Sequence, residues 1–338
     1  MNKKCVFIIV YFGKFNNYFP LLLKSCKFNK EYDWIIVTDD KEEYDYPINC
    51  RKVEMNLDDF NILASKKIGI NINIKEPYKL CDFKPAYGLI FEEYICDYDY
   101  WGHCDCDVVF GNMNRFLPLI FNGNYDKIFA SGHLTIYKNN RLNNRIFMNK
   151  LDGQDEYKKV FKSPKICVFD EDCNINGFYR KNVHSIFLNQ GKKIYNVDMS
   201  LNLKTKSSKL INVLYDGERR NFYRLPYKKE KFYWDKGELF SIDINGNRTD
   251  YLYAHFQMRK MRFNKKNMNS NTFEILPDRF RKKEKVKEKL NIIDYLLIGF
   301  PYLYWYDYLI RKIKGKVRKK WLIFLNTLKL IRNHFVKY

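Results

Sequence analysis

Short apolar runs alternate with segments of helical period through about residue 260, and this alternation predicts an α/β sandwich. Residues 6–11 form a continuous apolar run, as a central strand buried on both faces would. Residues 18–27 then read as helix, with Pro20 tolerated in the first turn. Residues 34–37 are a second strand that stops at Thr38-Asp39-Asp40, and residues 57–68 a second helix. A third helix is expected where Asp82 can cap, Pro85 can take the first helical position and residues 86–95 continue. Residues 100–111 read as one strand, residues 112–121 as a helix with a possible break at Pro118, and residues 125–130 and 134–137 as strands. A helix over 182–190 stopped by Gly191 precedes a strand at 193–197. Finally, strands at 240–244 and 251–253 flank the turn dipeptide Asn245-Gly246.

Composition changes this picture at one end of the chain. The protein has 338 residues, a hydrophobic fraction of 46% and a net charge of +22. From residue 279 to 338 there are 17 Lys and Arg against 4 Asp and Glu, a net of +13 and so more than half the excess. Nucleic-acid tails of such charge are usually polar, whereas this one interleaves it with Trp305, Trp321 and long aliphatic runs. The pattern suits either an anionic membrane surface or a helical cap with a solvated basic face. Asp294, Pro301 and Asp307 argue against a membrane-spanning helix within 290–310. The expected organisation is therefore a catalytic α/β domain over 1–278 and a basic, aromatic helical extension over 279–338. Nine cysteines at irregular spacing give neither a disulfide framework nor a zinc pattern. With no cleavable leader evident, they point to a reduced cytoplasmic protein, peripheral on the inner face of the plasma membrane.

The candidate chemistry lies in Asp105-Cys106-Asp107, set between two apolar stretches. Alternate residues of a strand share a face, so Asp105 and Asp107 would present paired carboxylates while Cys106 enters the core. Charges in that setting need a partner or a metal, and paired carboxylates suit Mg²⁺ or Mn²⁺ together with substrate phosphates. Asp97 and Asp99 read as a turn. Asp170-Glu171-Asp172 competes for a metal, and is alternatively a catalytic base or an acidic helix cap.

Four stretches together resemble a bacterial family of GT-A glycosyltransferases encoded among capsule and O-antigen genes. They are residues 78–85 (Tyr-Lys-Leu-Cys-Asp-Phe-Lys-Pro), residues 101–107, residues 131–135 (Ser-Gly-His-Leu-Thr) and residues 254–257 (Ala-His-Phe-Gln). The resemblance implies a GT-A-like fold, a central mixed sheet flanked by helices. It implies Asp105 and Asp107 as a metal motif, with Asp105 also near the ribose, and His255 as a third ligand or else a structural histidine. It also implies Tyr11, Phe12, Thr38 and Asp39 around base and ribose, Lys84 on phosphate or merely on a surface helix, and His133 on the acceptor. The implied reaction moves a sugar from a nucleoside-diphosphate donor, most often UDP-linked, to a glycan or lipid-linked glycan. Asp170, Glu171 or Asp172 would serve as base if the transfer inverts; stereochemistry stays open. The rivals are a metal-dependent nucleotidyltransferase or sugar pyrophosphorylase and a non-catalytic basic protein on membrane or nucleic acid. The first lacks support from any Gly-rich phosphate loop, and the second leaves Asp105 and Asp107 unexplained. No nucleic-acid partner is expected.

Overall fold

The computed structural model describes residues 3–173, 179–204, 209–263, 270–287 and 289–290. Contacts group the chain into Met1–Lys289 and Leu290–Tyr338, and only the first unit is described below. From residue 291 onward, the expected helical extension lies outside the described residues.

In chain order the first strands are β1 (Cys5–Tyr11), β2 (Tyr32–Thr38), β3 (Cys50–Glu54), β4 (Tyr100–Cys104) and β5 (Val108–Phe110). Next come β6 (Lys127–Ser131), β7 (Leu134–Lys138), β8 (Ile194–Tyr195) and β9 (Ser200–Asn202). The remainder are β10 (Val213–Asp216), β11 (Asn221–Arg224), β12 (Glu230–Asp235), β13 (Glu238–Asp243), β14 (Arg248–Asp250), β15 (Tyr253–His255), β16 (Thr272–Leu276) and β17 (Arg279–Lys282). The α-helices are α1 (Phe19–Phe28), α2 (Leu57–Ile68), α3 (Tyr87–Ile90), α4 (Leu117–Asn122), α5 (Glu156–Lys162) and α6 (Val183–Asn189).

The central sheet runs β3-β2-β1-β4-β7-β6-β8. Strands β1 to β4 are parallel where they pair, and β7 is antiparallel to both its neighbours, so the sheet is mixed. Period-two burial explains its two covered faces. Val6 and Ile8 pack with Ile35, Val37, Phe60 and Ala64, while Phe7 and Ile9 pack with Trp34, Ile36, Phe19 and Leu22. Helix α1 therefore covers one face and α2 the other, which is the expected α/β arrangement. Helix α2 begins at a reciprocal Asn56–Asp59 capping box and ends at Gly69 in the left-handed conformation.

Three smaller sheets follow among the described residues, one of them the antiparallel pair β10-β11. A three-stranded sheet, β5-β15-β9, pairs β15 antiparallel to β5 and parallel to β9. A five-stranded antiparallel sheet, β14-β13-β12-β16-β17, packs around Trp234, Phe273 and Phe280. The compositional break near Arg279 does not begin the expected helical extension, because Arg279–Lys282 is strand β17 of this sheet, paired with β16. No helix among the described residues is long and apolar enough to cross a membrane.

Three further expectations are corrected. The segment 82–95 is not one helix: a 3-10 run, Pro77–Ala86, precedes α3 and a further 3-10 turn, Glu92–Tyr94. Pro85 lies inside that run and cannot donate to a helical ladder. Residues 100–111 are not one strand either. The ladder of β4 is with β7, whereas β5 pairs with β15, so the chain changes sheets across Asp105-Cys106-Asp107. The hairpin at Asn245-Gly246 pairs β13 with β14 at Arg248–Asp250, not with 251–253, because Asp243 accepts the Asn245 and Asn247 amides and closes a tighter turn.

Candidate metal and sugar-nucleotide site

Asp105 follows β4, and its amide still bonds to the His133 carbonyl at 3.2 Å. Asp107 precedes β5, and its carbonyl accepts the Phe256 amide at 3.1 Å. The motif is thus a link between two sheets rather than one face of a strand. His255 ends β15 in register with Val108, and this delivers its ring to both carboxylates. Its Nε2 lies 3.5 Å from Asp105 Oδ2 and 3.4 Å from Asp107 Oδ1. The ligating atoms of Asp105, Asp107 and His255 all lie within 4.8 Å of one another.

The surroundings fix these groups. Asn202 Oδ1 accepts from Gln257 Nε2 at 2.9 Å and lies 3.0 Å from His255 Nδ1. An amide oxygen only accepts, so Nδ1 carries the proton and Nε2 is the nitrogen turned to the carboxylates. The Met258 amide donates to Asp107 Oδ2. Gln257 and Met258 both hold left-handed backbone, with φ of 50° and 53°, which curls the chain back over the motif. His133 stacks under His255 at 4.3 Å, and its Nδ1 is 2.7 Å from the Tyr253 hydroxyl.

Charge is concentrated here. Burial opposes ionisation of Asp105, yet Lys84 and His255 hold its carboxyl far below the usual range. Burial likewise disfavours charge on His255, but Asp107 and Asp105 overcome it and push the imidazole up to about 9. Positive charge is favoured between these two carboxylates, and a protonated imidazole or, after loss of the Nε2 proton, a bound cation would supply it. Two carboxylates and one imidazole nitrogen with its tautomer set by an amide oxygen form a donor set that fits Mn²⁺ or Mg²⁺.

Lys84 links this triad to the acidic cluster. Its Nζ donates to Asp105 Oδ1 at 2.6 Å and to the Gly132 carbonyl at 2.9 Å, and pairs with Asp170 Oδ2 at 3.1 Å. The two carboxylates hold the ammonium firmly charged against its burial. It is neither a surface lysine nor free for solvent, being 13% exposed. Burial raises Asp170, with Lys84 opposing and Glu171 adding, and the result is a carboxyl pushed up to about 7. Its Oδ1 is buried without a partner.

The other expected residues divide. Asp172 is committed to structure: it accepts Arg220 Nε at 2.8 Å, Arg220 Nη2 at 2.6 Å, Asn182 Nδ2 at 3.1 Å and the Tyr215 hydroxyl. Glu171 accepts the Gly132 amide at 3.1 Å. Tyr11 and Asp39 sit at the ends of β1 and β2, where Tyr11 stacks on Phe15 and Asp39 accepts the Gly13 amide at 2.6 Å. Phe12 and Thr38 are corrected. Phe12 packs edge-on against Phe60 in the core, and fully buried Thr38 spends its hydroxyl on the Asp40 amide, so neither walls a ligand. His133 is also buried, at 3% exposure, behind His255 rather than facing an acceptor. A second grouping, Cys81, Asp82 and Asp170, is less suited to a metal because Asp82 already accepts two backbone amides and Lys79. Sequence reading missed Asn202, Tyr253 and Met258, whose roles depend on strand pairings without a local signal.

Solved structures overlap this chain only partly. A galactosyltransferase LgtC bound to donor and acceptor sugar analogues aligns at 12% identity, covering 59% of this chain and 75% of that one, with a TM-score of 0.32. Mouse xyloside xylosyltransferase 1 aligns at 8% identity over 60% and 88% of the two chains, with a TM-score of 0.36. S. aureus TarS aligns at 12% identity over 47% and 55%, with a TM-score of 0.27. At these scores the overlap carries no weight for function. No curated protein matches the sequence. A family match does cover the strands and loops that build the site, residues 7–284, and the chain belongs to that family, DUF6625, a family of unknown function.

Proposed function

We propose that the protein is a metal-dependent glycosyltransferase of GT-A organisation, transferring sugar from a nucleoside diphosphate, UDP first among candidates, to a glycan or lipid-linked glycan. The observation that carries this reading is the convergence of Asp105, Asp107 and His255 from two sheets onto one point. Open α/β sheets bind ligands beyond the carboxyl ends of their parallel strands, and β1, β2 and β4 all end here. Tyr11 and Asp39 at those ends take the nucleoside. A cation held by the triad would neutralise charge on the departing diphosphate. Lys84 keeps Asp105 ionised and holds Asp170 beside it. Asp170, with a carboxyl pushed up to about 7 and paired with Lys84 beside the triad, is the carboxylate assigned to the sugar or acceptor hydroxyls. Glu171 fixes the Gly132 turn, Asp172 anchors the loop, and His133 supports His255 from behind. The pathway assigned is bacterial surface-polysaccharide synthesis. The basic stretch beyond β17 is assigned to the anionic inner membrane surface, which sedimentation with anionic vesicles tests.

The decisive assay is nucleoside-diphosphate release from a panel of nucleotide-sugars, with and without Mn²⁺ and with a membrane extract as acceptor source. Release confined to one donor, dependent on metal and lost in Asp107→Ala, is the expected result. Equal turnover by wild type and Asp107→Ala would remove the metal assignment.

A further inference from the structure

Two residues upstream of Lys84, the same 3-10 run carries a buried ion pair with no place in the metal triad. Lys79 and Asp82 have side chains 5% and 0% exposed, and their Nζ–Oδ2 distance is 2.6 Å. Lys79 also donates to the carbonyls of Val160 at 2.9 Å and Lys165 at 2.6 Å. Asp82 accepts the Cys167 amide at 2.9 Å and the Phe169 amide at 2.9 Å. Those amides flank Val168, whose φ of 57° is left-handed. A β-branched side chain avoids that conformation, so something outside the residue must impose it. The next residue after Phe169 is Asp170. One short run therefore grips the loop through Asp82 and meets its next carboxylate through Lys84.

We infer that Asp82, with Lys79 balancing its charge, is a positioning residue that acts on transfer through Asp170. Holding the Cys167 and Phe169 amides forces the Val168 turn, and the turn sets the Asp170 carboxylate 3.1 Å from Lys84. The inference rests on the role proposed above for Asp170. Burial alone does not explain the arrangement, since an apolar residue at 82 would fill the space yet leave both amides unsatisfied.

The test combines kinetics with amide exchange on the full chain. Asp82→Asn puts an amide –NH₂ where one carboxylate oxygen accepts, and a displacement of about 1 Å at Asp170 costs on the order of 100-fold in transfer rate. In an Asp170→Asn background, the same substitution is expected to cost less than about twofold, because its effect runs through a group already disabled. Val168→Gly, which removes the penalty of the left-handed turn, is expected to restore part of the rate to Asp82→Asn. Additive losses in the double variant, or no rescue by Val168→Gly, would overturn the inference. Amide exchange at Cys167 and Phe169 decides the anchoring separately, even if no donor is turned over and the transferase reading fails. Fast exchange in Asp82→Asn beside slow exchange in wild type supports the anchor, and unchanged protection overturns it.

Discussion

Asp172 offers the sharpest separation of structure from chemistry within the acidic cluster. Burial works against its charge, but the Arg220 fork, His184 and the Tyr215 hydroxyl pull its carboxyl down to about 2. Its side chain is 1% exposed and that of Arg220 18%, so the pair is little screened by solvent. A folded pKa below the unfolded value of about 3.9 means the native state holds the charged form better. The stability so gained is fully present above pH 4 and is lost as pH falls from 4 toward 2. Lowering the carboxyl from about 3.9 to about 2 is worth roughly 2–3 kcal/mol of folding free energy at neutral pH. Replacing Asp172 by Asn costs more than this, about 3–5 kcal/mol, because Arg220 is left charged and unpaired.

Urea unfolding of wild type and Asp172→Asn at pH 7 and at pH 3 measures both quantities. The expected result is a large loss at pH 7 that narrows at pH 3, where the wild-type carboxylate is itself becoming protonated. Adding Arg220→Met should recover part of the loss at pH 7 by removing the orphaned charge. A loss under about 1 kcal/mol with the same pH dependence as wild type would refute the account and return Asp172 to the catalytic candidates.

Three further outcomes follow from single contacts. Gly88→Ala places a methyl carbon 2.4 Å from the buried Trp101 ring and should destabilise by about 1–3 kcal/mol, read as a lowered thermal midpoint. Tyr253→Phe removes the partner of His133 Nδ1, whose Nε2 already lacks one, and should cost about 1–3 kcal/mol in chemical denaturation. Mn²⁺ at 100 times its dissociation constant should stabilise wild type by about 2.7 kcal/mol, with most of that gain absent in Asp107→Asn by thermal shift.

Where side-chain pattern and backbone element coincide, the sequence was readable. Strand β1 and helix α2 are examples: one is a run buried on both faces, the other a capped amphipathic segment. The paired carboxylates were picked out by their chemistry although their geometry was misread. Asp105 and Asp107 converge because the chain leaves one sheet for another, and alternation along a strand cannot reveal a change of partner. Asn202 was invisible for the same reason, since only the β9–β15 pairing brings it to His255. Phe12 and Thr38 show the opposite error. Their position at strand ends suggested ligand contact, but their side chains point to the core and to a turn. Asp170 and Asp172 share a period-two spacing, yet one meets Lys84 and the other Arg220, a division fixed by distant elements.

Gly132 shows how tightly that division is built. Its amide is held by Glu171, and its carbonyl accepts Lys84 at 2.9 Å, so the backbone at this turn has little freedom. A Cβ added there would lie 2.4 Å from Asp170 Oδ2. The nearest obstacle is the far end of a side chain rather than backbone, so the carboxylate yields and the fold does not. Gly132→Ala should therefore still fold, at a cost of about 1–3 kcal/mol for overpacking a buried turn. Turned out of its place beside Lys84, Asp170 loses the geometry proposed for it, and displacement of that size costs on the order of 100-fold in rate. Binding of nucleoside diphosphate with Mn²⁺ should persist, because the triad rests on β4, β5 and β15. The combination to look for is a folded protein that keeps diphosphate binding with transfer largely lost. If transfer survives at the wild-type rate, Asp170 has no part in the reaction, and the acidic cluster serves only to hold its loop.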